Sequence, residues 1–168
     1  MKKVLVAIVA LTAFACQQNK IGFVDNQKIL NDYQEKIDIE AKLKTKGEAF
    51  TKKKDSISQV FQLRYTAFQA KAEKMSQDKA QTEYGVLQQE SQFLAQQLQQ
   101  EEKNIQEASQ VEMDSLISKV KKQIKSYAKT NGYTYILSGG DGGSVLYGVE
   151  TQDVTEPILK ILNDSYKK

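Results

Sequence analysis

The chain of 168 residues has no histidine, a single cysteine and a single proline. Without histidine, the commonest acid–base group and metal ligand near neutral pH is missing. No Cys–His pair and no zinc spacing is possible, so no metal site and no cofactor is expected. One cysteine, Cys16, excludes a disulfide within the chain. An excess of charge of one sign is also lacking. The formal net charge is +3, and loss of an N-terminal segment carrying Lys2 and Lys3 would bring it to +1. A chain so near neutrality gives no case for nucleic-acid binding.

Proline and glycine are rarest in the middle. From Tyr33 to Asn131 there is no proline, and the only glycines are Gly47 and Gly85. One helix of that length would run on the order of 150 Å. The strand-like pieces on either side, Lys20 to Asp25 and Tyr133 to Tyr147, are too short to be domains. They make sense if the helical stretch folds back and returns its ends to one place. The expected object is an α+β chain with a long antiparallel helical hairpin, roughly 70 Å tall, rising from a small sheet-containing body.

The apolar spacing supports two arms. Phe50, Ile57, Phe61, Phe68, Ala72 and Met75 follow one another in steps of seven, four, seven, four and three. Leu87, Leu94, Leu98 and Ile105 continue in steps of seven, four and seven, and Leu116, Val120, Ile124 and Ala128 in steps of four. Such steps mark a coiled-coil seam. The turn is expected within residues 76–85, with Tyr84-Gly85 as the permissive point. Gly47 is a local weak point in the first arm, costing about 1 kcal/mol against alanine. The glutamine-rich faces of the second arm read as solvated helix. Lys119, Lys121, Lys122, Lys125 and Lys129 complement the helix dipole at its end.

Asp25 or Asn26 is the expected cap of a short helix over residues 27–32. Asn131-Gly132 is a helix stop, suited to a left-handed residue. Tyr133 to Leu137 alternates as a strand, Ser138 to Gly143 reads as a turn, and Ser144 to Tyr147 as the returning strand. Asp153 and Glu156 have capping-box spacing, and Pro157 sits where its missing N–H costs little. The final helix should bury Ile158, Leu159, Ile161 and Leu162.

At the N-terminus, Met1-Lys2-Lys3, the apolar run Val4 to Phe14 and Ala13-Phe14-Ala15 read as a signal peptide over residues 1–15. Two processings fit the site. Cys16 becomes a lipidated mature N-terminus, or the Ala-x-Ala site is cut conventionally and Cys16 is incidental. A lone cysteine at the cleavage point favours lipidation. The expected organisation is therefore 1–15 signal peptide, 16–32 with 132–168 association body, and 33–131 helical arm. No second apolar run is long enough to span a membrane.

Nothing here reads as an enzyme. The Gly-Gly-Asp-Gly-Gly run lacks the Gly-Lys-Ser/Thr ending of a phosphate loop and leads into a strand. Glu101-Glu102 lies on an exposed polar helix. Three short strands cannot form a self-sufficient sheet core, so an oligomer is expected to pool them and bury Phe23, Ile136, Val145 and Leu146.

Lys20-Ile-Gly-Phe-Val-Asp-Asn-Gln-Lys-Ile-Leu30, Tyr133 to Leu137, Ser144-Val-Leu-Tyr147 and Asp153 to Leu162 together resemble the opening and closing segments of the Skp/OmpH family of periplasmic chaperones for outer-membrane proteins. That resemblance implies a jellyfish-like homotrimer. Its body is a small β-barrel, and three helical hairpins enclose a cavity for unfolded clients. It also implies periplasmic localisation and ATP-independent holdase activity. The competing expectation is a structural or tethering coiled-coil lipoprotein of the envelope, touching a membrane only through lipid on Cys16. Large residues beside the seam favour the holdase, because a tether has no use for them. Val60, Tyr65, Phe68, Met75, Tyr84 and Phe93 are the candidate client-binding residues.

Overall fold

The computed structural model describes residues 19–167; the expected signal peptide and Cys16 lie outside them. The elements, in order, are β1 (Ile21–Asp25), α1 (Asn26–Asp32), α2 (Gln34–Ala72), α3 (Gln77–Thr130), β2 (Tyr135–Gly139), a 3-10 turn (Glu150–Gln152) and α4 (Thr155–Tyr166). The chain divides into two compact units. One runs up to Lys36 and resumes from Ile117, and the other is Ile37–Leu116.

The first unit is built on β1. Its Asp25 takes an extended conformation and caps α1 by accepting a bond from the Lys28 N–H at 2.9 Å. β1 pairs with β2 in parallel, from Ile21 opposite Tyr135 to Asp25 opposite Gly139. On its other edge the Phe23 carbonyl accepts from Val154 N at 2.9 Å. Val24, Ile29, Tyr33, Val120, Val154, Ile158, Leu159 and Leu162 form the buried core of this unit. α4 packs on α1 and closes the break between α1 and α2. There Asn163 accepts from the Gln34 N–H at 2.9 Å and donates to the Asp32 carbonyl at 3.3 Å. It thereby satisfies a first-turn donor of α2 and the last carbonyl of α1.

α3 stops as its sequence expects. Gly132 has φ 70°, and the Tyr133 N–H reaches back to the Ala128 carbonyl at 2.9 Å, the long bond of a Schellman motif. The Lys20 ammonium donates to the Asn131 carbonyl at 2.9 Å and stands 4.1 Å from the Tyr133 ring centre. A cation thus sits at the negative end of the helix, beside the strand that starts the fold.

Four expectations change. The turn between the long helices is residues 73–76, overlapping the expected span only at Ser76, and Gly85 lies inside α3. Bonds from Lys74 N to Lys71 O and from Met75 N to Ala72 O close this turn without glycine. Residues 144–147 form no strand. The glycine turn does form, with Gly140 and Gly142 at φ 78° and 77°. The returning segment then makes one backbone bond, Val145 N to Ser138 O, and no ladder. The capping box does not close. Asp153 N already donates to Glu150 O at 3.0 Å, so Glu156 pairs with Lys28 instead. The Asp153 carboxylate still accepts from Thr155 N at 2.8 Å. Finally, Ile161 faces outward, while Ile158, Leu159 and Leu162 are buried.

In the second unit, Lys42 pairs with Glu112 at 2.6 Å, Lys53 with Glu101 at 2.5 Å, and Arg64 with Glu90. The cations advance every eleven residues along α2 while the carboxylates retreat every eleven along α3, as antiparallel helices require. Each cation lies three residues after Ile39, Phe50 or Phe61. Each glutamate lies three after Leu87, Leu98 or Ser109. The seam therefore repeats in elevens, about 3.67 residues per turn, which lacks the left-handed drift of a strict heptad seam. Solvent-exposed pairs of this kind contribute about 0–1 kcal/mol each. They set the register more than the stability, which comes from the apolar seam.

A Cβ at Gly47 or Gly85 would meet nothing within 4 Å, and neither has a positive φ. Gly47→Ala and Gly85→Ala should each raise stability by about 0.5–1 kcal/mol, measured by urea unfolding. Asn163→Ala should lower it by about 1 kcal/mol, because the Gln34 N–H loses its acceptor.

Candidate functional site

Two packed helices cover only one stripe of each other. α2 has no buried residue at all. Phe50, Ile57, Phe61, Tyr65 and Phe68 are half-buried, and along the partner segment of α3 only Leu87 and Leu116 are buried. The seam is thus an open cleft flanked by polar and apolar side chains.

The candidate residues separate into two groups. Tyr65, Phe68 and Met75 are half-buried and line or widen the seam. Phe68 lies against Tyr84, with ring centres 6.2 Å apart and planes inclined by 32°. Tyr84 is exposed on its outer side, while Val60 and Phe93 stand free, 54% and 58% exposed. Leu63, Val86 and Val111 are comparably exposed and were not among the residues the sequence singled out.

Helical geometry places several of these on one flank. A residue is rotated about 100° from the next. Val60, Val86 and Phe93 each immediately precede a seam residue, Phe61, Leu87 and Leu94. They are turned about 100° back from it. The ion-pair residues, three positions after a seam residue, are turned about 60° back, to the same side. Exposed apolar side chains and a regular row of ion pairs therefore alternate along one flank of the hairpin. Arg64 and Lys71, with Phe68, Val86 and Leu87, line a groove near the turn. The surface is apolar, elongated and shallow. It offers contact with a chain and no enclosed volume for chemistry.

The first unit holds the other predicted residues. Phe23, Ile136 and Val145 are half-buried and Leu146 is 99% exposed on the single chain. Tyr135 and Leu137 on β2, and Tyr147 beyond it, are also exposed. The strongest electrostatic perturbation lies at the root of α2. Burial and the Glu35 carboxylate push the Tyr33 phenol well above its usual range, so its hydroxyl stays protonated and donates to Glu35. Burial alone would raise Glu35, whose side chain is only 13% exposed. The Lys119 ammonium and the Tyr33 hydroxyl outweigh that and hold it below its ordinary 4.5. One lysine of the basic run at the end of α3 is thus spent on a structural pair. Among the described residues no group of side chains could hold a metal ion, and no helix is long and apolar enough to cross a membrane.

Comparison with known proteins agrees with this geometry. Residues 20–162 match the profile of the family described as outer membrane protein (OmpH-like). The fold superposes with a TM-score of 0.77 on the crystal structure of an OmpH-like protein from Caulobacter crescentus, assigned as an outer membrane chaperone. That alignment covers 90% of this chain and 88% of the other, at 13% sequence identity. No curated protein matches the chain significantly.

Because Glu35 is depressed in the folded state, its pair stabilises the protein fully above the unfolded value of 4.5. That contribution is lost as the pH falls through the lower folded value. Glu35→Gln should cost about 1–2 kcal/mol at neutral pH. Thermal unfolding followed downward from pH 7 should show the gap between wild type and variant closing below about pH 4. A gap independent of pH would contradict the assignment.

Proposed function

The chain belongs to the OmpH-like family of outer membrane proteins, a chaperone family and not an enzymatic one, and from that membership we propose an ATP-independent holdase for unfolded outer-membrane proteins in the periplasm. The observation that carries this reading is the open, uncovered apolar surface of the helical hairpin. A spacer would cover such side chains or replace them with polar ones, since exposed apolar area promotes unwanted association. Here Val60, Leu63, Val86, Phe93 and Val111 all face solvent.

The working unit is a homotrimer joined through the strand-bearing unit, with Phe23, Ile136, Val145 and Leu146 drawn into a shared barrel-like core. A two-stranded sheet with exposed apolar residues supports this, because such a sheet is marginal alone. Lipid on Cys16 would hold the assembly on a membrane facing the periplasm. Mass spectrometry of the mature N-terminus reads this directly, and a free thiol on a soluble protein would remove the anchor from the proposal.

Clients bind through several weak contacts. Each exposed side chain contributes about 0.5–1 kcal/mol, a fraction of the roughly 1.5–3 kcal/mol of full burial. Linked arms turn these into useful avidity while leaving each contact free to break as the client folds. Single substitutions should therefore do little. A combined Val60→Ser, Val86→Ser and Phe93→Ser variant should stay helical, since none of these side chains is buried. It should also lose most of its ability to keep an unfolded barrel protein from aggregating, followed by light scattering. Full protection by the triple variant would make the arms spacers and favour a tethering role.

A further inference from the structure

The first unit carries a groove and a projection that do not meet within one chain. The groove, of about 330 Å³, is walled by Val24, Leu30, Val120, Ile124 and Ile136, with Lys121 at its edge. The projection is Leu146 with Tyr147, 99% and 85% exposed. It is held from both sides. Val145 N donates to Ser138 O at 3.0 Å before it. After it, Gly148 lies so close to the Phe23 ring that any Cβ there would collide.

We propose that Leu146 and Tyr147 of one copy seat in this groove on the next copy. The occupant is a second copy of this chain because the two features are complementary in chemistry. An aliphatic and an aromatic side chain meet an apolar trough, and the charge at the trough's edge is an ammonium, which is attracted to an aromatic face. A projection and a groove at different places on one surface can pair reciprocally across a two-fold axis or head to tail around a closed ring. In the homotrimer proposed above the contact runs head to tail. It rests on the homotrimer proposed above and adds to it the mate of Leu146.

The test uses the mature chain with Cys16→Ser. Leu146→Cys and Ile124→Cys are combined, oxidised mildly and run denatured without reductant. The double variant should give covalent dimers and trimers, while each single variant stays monomeric. Linkage by Leu146→Cys alone would overturn the proposal, because the projections would then meet each other. So would a double variant that fails to link while light scattering still shows a trimer, which leaves the trimer standing and removes only this contact. A monomeric wild type would overturn both. Separately, Leu146→Asp should weaken association about tenfold to a hundredfold with helicity unchanged, since the side chain touches nothing on its own chain. Undiminished association would count against the proposal.

Discussion

A pair of helices can shield one stripe of each, and no more. That constraint governs the Ile37–Leu116 unit. Its aromatic seam is only half removed from water, α2 buries no side chain completely, and further apolar residues stand outside the seam. In a helix bundle a third or fourth helix would cover them. Here no further element of the unit does so, and the uncovered area is available to a partner whose own apolar residues are exposed. The proposed client, an unfolded membrane protein, is such a partner. The ion pairs at eleven-residue intervals hold the two helices in register at little energetic gain, so Val60, Val86 and Phe93 keep fixed positions along one flank.

The other unit meets a different demand: the chain must leave for the hairpin and come back to the same place. β1 accomplishes this by bonding on both edges. It pairs β2, which follows the hairpin, and takes the Val154 N–H on its far side. Its last residue caps α1, while the Asp25 N–H donates to the buried Thr155 hydroxyl at 2.9 Å. Asn163, Lys119 and Lys20 then fasten the starts and ends of the long helices. Parallel pairing follows from this route, since a strand that returns after a long helical crossover can lie beside the first without reversing.

Much of this was legible in the residues. The proline-free middle predicted paired helices, Asn131-Gly132 predicted a left-handed stop, and Asp25 or Asn26 predicted a cap, which Asp25 supplies, because stops and caps depend on local chemistry. The turn at residues 73–76 was not legible by the glycine criterion, since its bonds are made by residues with ordinary backbone angles. Ser144 to Tyr147 has the composition of a strand, but a strand needs a ladder of backbone bonds, and within one chain this segment makes only the bond from Val145 N to Ser138 O. The eleven-residue repeat was present in Lys42, Lys53 and Arg64 against Glu90, Glu101 and Glu112. Its steps of seven and four read as heptads until the ion pairs show which residues face one another. For the candidate surface, Val60 and Phe93 were visible as large residues beside the seam. Val86 precedes Leu87 as Val60 precedes Phe61, so the same signal was present there, whereas Val111 stands two positions after Ser109, away from the seam.

The central claim is that the ion-paired flank of the hairpin is where clients lie. Site-specific photo-crosslinking reads this most directly. A photoreactive residue placed in turn at positions 60, 86 and 93, and for comparison at Gln62 and Ser58 elsewhere on α2, is irradiated with an unfolded outer-membrane barrel protein. The account predicts strong crosslinks from positions 60, 86 and 93 and weak ones from the comparison sites. Equal crosslinking around the helix, or none from the flank, would contradict it.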